Sequence, residues 1–166
     1  MEKLPGFVVS ISVSLPKSQV YLVGRLMDGR SFAVADTRWK PSLLIPESCV
    51  AAAGALLQAR PALCARLVPS DFSSFQGAPC CAVEGAIPQW ASLLENLAGK
   101  GIEAYRGDMK LKDLYRIDRG IMGGVTISGI SRPGKRVDLV FVDPEICGVE
   151  AIAPLSWISI DIETSR

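Results

Sequence analysis

Histidine is absent from this chain. That removes the commonest general base and zinc ligand, so histidine triads and zinc sites are excluded within these residues. A charge excess is missing too: 18 lysines and arginines face 17 aspartates and glutamates, a net +1. Nothing marks the whole chain as a binder of polyanions, although a local basic patch stays open. Asp, Glu, Lys, Arg or Pro interrupts every apolar run, so none reaches the roughly 20 residues of a membrane span, and no membrane partner is expected. The start, Met1-Glu2-Lys3-Leu4-Pro5, lacks the apolar core of a secretory signal. Cys49, Cys64, Cys80, Cys81 and Cys147 are odd in number and form no CxxC pair. They are expected to be reduced, mostly buried small hydrophobes of a cytoplasmic protein. Adjacent Cys80 and Cys81 would face opposite sides of a strand, which argues against joint metal ligation. Repeats and low-complexity stretches are also lacking.

What is present suffices for a core. The chain has 166 residues, 49% of them apolar, enough for one domain, or one domain and part of a second. Phe7 to Leu15 alternates as a half-buried strand. A turn at Pro16–Gln19 leads to a second strand over Val20–Met27, and Asp28-Gly29 signals a tight hairpin into a third over Ser31–Ala35. The next elements are a strand at Leu43–Ile45, a helix around Ala51–Leu57 stopped by Pro61, strands at Leu63–Val68 and Pro79–Val83, a helix opened by Ile87-Pro88, and a strand at Ile102–Tyr105. The second helix carries Trp90, Leu93, Leu94 and Leu97 on one face.

The fold class is therefore α+β. An antiparallel β meander (7–36) precedes a ferredoxin-like or RNA-recognition-like βαββαβ unit (43–106). Lys110 to Arg119 reads as a short helix capped by Gly120. A β hairpin follows, with arms at Val125–Ile130 and Val137–Val142, and Asp143–Ala153 reads as irregular. The expected division is 1–120 and 121–166.

At the far end an apolar strand, Trp157 to Ile162, delivers Asp161 and Glu163. Residues two apart share a strand face, so the two carboxylates lie side by side. They repel unless a proton or cation sits between them. Oxygen donors of this kind suit Mg²⁺ or Mn²⁺, which want about six oxygens, so two carboxylates make only part of a site. The alternative is a solvated strand end. The densest basic stretch holds Arg116, Arg119, Arg132, Lys135 and Arg136, with Lys110 and Lys112 nearby. It reads either as contacts to a nucleic-acid backbone or as a solvated helix face and hairpin turn. Asp113, Asp118 and Asp138 offset part of that charge. Tyr105, Phe72 and Phe75 could stack bases on an open sheet face. The aromatic-rich strand of RNA-recognition domains is missing, which favours core or linker packing for them, as for Trp39 and Trp90.

Two segments resemble family B DNA polymerases, most closely the bacterial DNA polymerase II type. Pro154 to Thr164, an apolar strand ending in Asp161-Ile162-Glu163-Thr164, is similar to the first motif of that family's 3′–5′ proofreading exonuclease. Ile102 to Asp108, followed by Leu114 to Ile121, is similar to the segment that joins the amino-terminal domain to the exonuclease. A hairpin separates the segments in both. The resemblance implies that residues 121–166 hold the hairpin and the first strand of a ribonuclease H-like exonuclease. It makes Asp161 and Glu163 catalytic acids and ligands of Mg²⁺ or Mn²⁺ in the intact parent. It implies a parent that extends a DNA primer–template with dNTPs, excises mismatched 3′ ends with two metals, and meets a sliding clamp through other regions. This stretch alone would be a catalytically inactive brace beside the template path, without tightly bound metal. It would be a monomer, or a non-native dimer paired through a surface that further domains cover. Two other readings stay open: a stand-alone single-stranded nucleic-acid binding module, and a structural assembly domain.

Overall fold

The computed structural model describes residues 3–150. Asp161 and Glu163, with the strand expected to carry them, lie outside the described residues.

The meander forms as its alternation requires. Strand β1 (Lys3–Ser14) pairs antiparallel with β2 (Gln19–Leu26), and β2 with β3 (Ser31–Asp36). Val20, Leu22, Gly24 and Leu26 of β2 face inward, as do Phe32, Val34 and Asp36 of β3. Burial of each large aliphatic or aromatic side chain here contributes about 1.5–3 kcal/mol. A bulge between Val8 and Ser10 adds one residue to β1 and lets Val9 point into solvent. The hairpin after β2 is wider than a two-residue turn: Leu26 N–H donates to Arg30 C=O, and Gly29 takes a φ of 89°. That φ is easy only for glycine.

The middle of the chain builds a second sheet. Strand β4 (Ser42–Pro46), helix α1 (Val50–Ala59), β5 (Arg66–Val68), β6 (Cys80–Glu84) and helix α2 (Trp90–Gly99) follow in order. The sheet order is β4-β6-β5, all antiparallel. The fourth strand expected over Ile102–Tyr105 shrinks to a single antiparallel bridge, Tyr105 to Leu44. It still lies beside β4, so the ferredoxin-like order persists. The helices cover one face. Trp90, Leu93 and Leu97 of α2 and Ala53 and Leu56 of α1 meet Leu43, Ile45 and Val83 in the core.

Helix α3 (Leu111–Asp118) buries Leu114 and Tyr115 completely. It ends in a Schellman motif. Ile121 N–H donates to Arg116 C=O and Gly120 N–H to Ile117 C=O, with Gly120 at φ 64°. The remaining strands are β7 (Gly124–Ser128), β8 (Ser131–Pro133), β9 (Leu139–Val142) and β10 (Glu145–Gly148). They return to the first sheet, whose order is β10-β7-β1-β2-β3-β9-β8. The position expected as a border, residue 120, thus precedes strands that pair with the amino-terminal meander.

Two expectations are corrected at this point. The hairpin is present, but its arms are β8 and β9; β7 does not pair with β9 and flanks β1 on the other side. Residues 145–148, expected to be irregular, form β10 on β7. The cysteines also differ from expectation. All five are free thiols, but only Cys80 is buried, while Cys64 and Cys147 are exposed.

Candidate nucleic-acid interface

The basic residues singled out by the sequence separate into three places. Arg119, at the end of α3, is an internal ion pair. Its Nη2 lies 2.7 Å from Oδ2 of Asp36, a carboxylate with no exposed side-chain surface. Asp36 also accepts the Tyr115 hydroxyl at 3.0 Å and the backbone N–H groups of Arg38 at 3.0 Å and Trp39 at 3.2 Å. The guanidinium of Arg119 sits 5.6 Å from the centre of the Tyr115 ring, and the Trp39 and Tyr115 rings meet edge to face at 5.2 Å. Burial, and next the Asp36 carboxylate, push the Tyr115 hydroxyl far above its usual pKa. Burial is the largest single influence and works against the charge on Arg119, but the Asp36 carboxylate and the Tyr115 hydroxyl together outweigh it and the net shift is upward. Arg119 is committed to the fold, and the expectation that it contacts phosphate is not what its geometry supports.

A second carboxylate, Asp118, extends this cluster. It accepts Trp39 Nε1–H at 2.9 Å and pairs with Arg106. Arg106 in turn reaches the Ser42 hydroxyl at 3.4 Å. One connected polar network therefore joins β3, α3 and the edge of the second sheet. Asp36 and Arg106 were missed as residues of interest. The signal for Asp36 is its register: it continues the inward series Phe32, Val34, Asp36 at a spacing of two. A carboxylate on an apolar face needs buried partners.

Arg116 is exposed and stands over a groove of about 300 Å³ between α3 and the bulged part of β1, next to Lys112 and Asp113. Phe7, Val8, Val9 and Met122 supply its apolar wall. The favourable placement of Arg116 in the last turn and Asp113 in the first turn of α3 follows the helix dipole.

Arg132, Lys135 and Arg136 are exposed on β8 and the turn into β9. Strands β2, β3 and β9 separate them from β1, so the structure groups these three but leaves Arg116 apart. Among the described residues no three Cys, Asp or Glu side chains gather where they could hold a metal ion. No described helix is long and apolar enough to cross a membrane.

No family model matches the sequence, and no curated protein matches it. The fold does have a solved counterpart. The structure of the family B DNA polymerase from the hyperthermophilic archaeon Pyrobaculum calidifontis aligns with 92% of this chain at a TM-score of 0.65, with 19% sequence identity. At that identity the likeness is one of fold. The alignment spans 21% of the polymerase chain, so this chain corresponds to about a fifth of the protein it resembles.

Proposed function

We propose that this chain is the amino-terminal domain of a family B DNA polymerase, followed by the first strand of its proofreading exonuclease. The observation that carries the reading is the fold likeness over 92% of the chain to a polymerase of that family. The Asp161-Ile162-Glu163-Thr164 motif agrees with it, and bacterial DNA polymerase II is the branch its motifs resemble. On this reading the domain performs no chemistry. It braces the exonuclease and flanks the template path. Arg116, with Lys112 on the α3 groove, and the basic β8–β9 turn face the primer–template backbone.

The acids fit a hard divalent cation by donor type: two carboxylates two positions apart in the sequence would supply part of its oxygen shell. Asp161 and Glu163 would hold Mg²⁺ or Mn²⁺ together with acids from later exonuclease motifs. When bound, such a cation acts as a Lewis acid and lowers the pKa of its water. The role of the carboxylates would be to hold and orient that cation.

The reading frame beyond the Arg166 codon tests this directly. It should continue into further exonuclease acids and a polymerase Asp-Thr-Asp site, and a stop codon in the native gene at that point defeats the proposal. In the encoded polymerase, Asp161→Ala should abolish 3′–5′ excision and leave primer extension in place. Full excision by that variant removes Asp161 from the site.

A further inference from the structure

Phe72 and Phe75 are exposed, contrary to the expectation that they pack inside, but both sit on the loop between β5 and β6. A more regular apolar surface lies on the outer face of the first sheet. Leu22, Val34 and Phe141 point inward from β2, β3 and β9 and form part of the core. The positions on either side of them face outward and align in two cross-strand rows. Val23, Ala33 and Val140 form one row, and Tyr21, Ala35 and Val142 the next. Ser10 and Ser12 continue the rows onto β1. The rows lie two residues apart along each strand, about 7 Å.

A sheet with one face in water alternates apolar inward and polar outward. These rows break that rule. None of their side chains is charged, and only the serines and the Tyr21 hydroxyl are polar. Val23 is 44% exposed and Val142 49%. The alanines are a second departure. Alanine is depleted in strands, where β-branched and aromatic side chains fit better. Two successive outward alanines on β3, a strand paired along both edges, weaken it and gain the free chain nothing. They do lower the middle of the face, with Val23, Tyr21 and Val142 standing around them. One end of this seat is basic. Arg25 follows Val23 on β2, and Arg132 on β8 lies opposite Val140. Neither belongs to an ion pair among the described residues. Asp138, which senses the charge of Arg25, is held by Ser31, and Asp143 by Thr37.

We propose that this face seats an amphipathic α-helix with an acidic border, carried by a separate protein. β2 and β3 are paired along both edges, so no strand can add here and recognition must run through side chains. A helix presents only side chains, and its width of about 10 Å covers both rows. Leucine-sized side chains of its apolar stripe would fill the floor of alanines, since large against small is how layers interdigitate. A second copy of the same face would set small side chains on small and leave voids. Glutamates along the helix border would meet Arg25 and Arg132. The described chain leaves from β10, four strands from β3 and about 19 Å away, which favours a separate partner over its own continuation. The site does not depend on the parent being a polymerase.

The test is fluorescence anisotropy of a labelled helical peptide of about 18 residues with the 166-residue chain. The peptide carries leucines at helical spacing on one face and glutamates along one border. A scrambled peptide of the same composition is the control. The helix should bind and the scramble should not. Ala33→Thr with Ala35→Thr suits the strand better but raises the floor of the seat. It should raise the melting temperature and weaken binding about tenfold. A purely structural role for the alanines predicts a lower melting temperature instead, and that result overturns the proposal. Arg25→Gln should weaken binding and reduce its dependence on salt. The proposal also fails if the two peptides bind alike, or if the threonine pair leaves binding intact. Sedimentation of the free chain checks the rival occupant: a dimer abolished by Ala33→Gln would make a second copy the partner. Loss of peptide binding in a longer parent of this chain would place the face inside that parent and likewise overturn it.

Discussion

The buried carboxylate of Asp36 accepts the hydroxyl of Tyr115 at 3.0 Å, across 79 positions of sequence. Asp36 ends β3 and Tyr115 sits in the middle of α3, so this bond fastens the connecting helix to the amino-terminal sheet. The other donors to Asp36 come from Arg119 on the same helix and from the backbone that leads towards β4. The Asp36 carboxylate thus anchors α3 to the first sheet, while Asp118 carries the link through Arg106 to Ser42 of β4.

Removal of the Asp36 carboxylate should be more damaging than removal of the Tyr115 hydroxyl alone. Asp36→Ala leaves the half-buried Arg119 guanidinium and the buried Tyr115 hydroxyl without their acceptor, and should cost about 3–5 kcal/mol. Tyr115→Phe leaves Asp36 with three donors and should cost about 1–2 kcal/mol. Urea denaturation of both variants checks the order. Equal costs would mean that Asp36 does not organise the cluster.

The basic residues should divide by position rather than by charge. Arg119→Glu sets a second carboxylate against Asp36 and should destabilise the chain by about 3 kcal/mol or more. Arg116→Glu and Arg132→Glu alter solvated side chains and should stay within about 0.5 kcal/mol of the parent. Denaturation midpoints measured at one salt concentration separate the two classes. A stable Arg119→Glu protein would contradict the buried pair.

Local patterning made most elements readable. The alternation of Val20, Leu22 and Leu26, and the spacing of Trp90, Leu93 and Leu97, each report one buried face. What could not be read was pairing between distant segments. Strand β9 adds parallel to β3, and side chains 106 and 107 positions apart fasten its ends. No local signal encodes such a neighbour, and an apparent hairpin partner for β7 stood closer in sequence. The site divided in the same way. A run of arginines is visible in the sequence, but whether each meets solvent or a carboxylate depends on which face α3 turns inward. The exposure of Phe75 was equally hidden, because a loop has no periodicity to betray its facing.

Gly24 should tolerate no side chain. A Cβ there would overlap the Phe7 carbonyl oxygen and lie 2.6 Å from the Phe32 ring. Gly24→Ala must push β1 or Phe32 aside and should cost about 1–3 kcal/mol. Gly99, at the end of α2, has nothing within 4 Å of the same position. Gly99→Ala should therefore stabilise by about 0.5–1 kcal/mol through helix propensity. The opposite signs can be read from two thermal melts, and a neutral Gly24→Ala would contradict the close crossing of β1, β2 and β3.

Acid should loosen the β3–β9 pair first. Asp138 accepts Ser31 N–H and its hydroxyl, both at 2.7 Å, at one end of the pair. Asp143 accepts Thr37 N–H at 2.6 Å and its hydroxyl at 2.8 Å at the other. The side-chain bond from Ser31, then its backbone bond, lowers the Asp138 pKa; the backbone bond from Thr37 is the main cause at Asp143. Carboxyls held below their unfolded value of about 3.9 contribute stability that is complete above roughly pH 5. The contribution is lost as pH falls through the folded values, because protons then bind the unfolded chain more readily. Both groups are solvent-exposed, so the effect should shrink at high salt. Asp138→Asn with Asp143→Asn should lower the melting temperature at neutral pH and flatten its decline on acidification. Thermal melts across that range decide the matter: parallel declines in variant and parent would show that these two clasps contribute nothing to acid sensitivity.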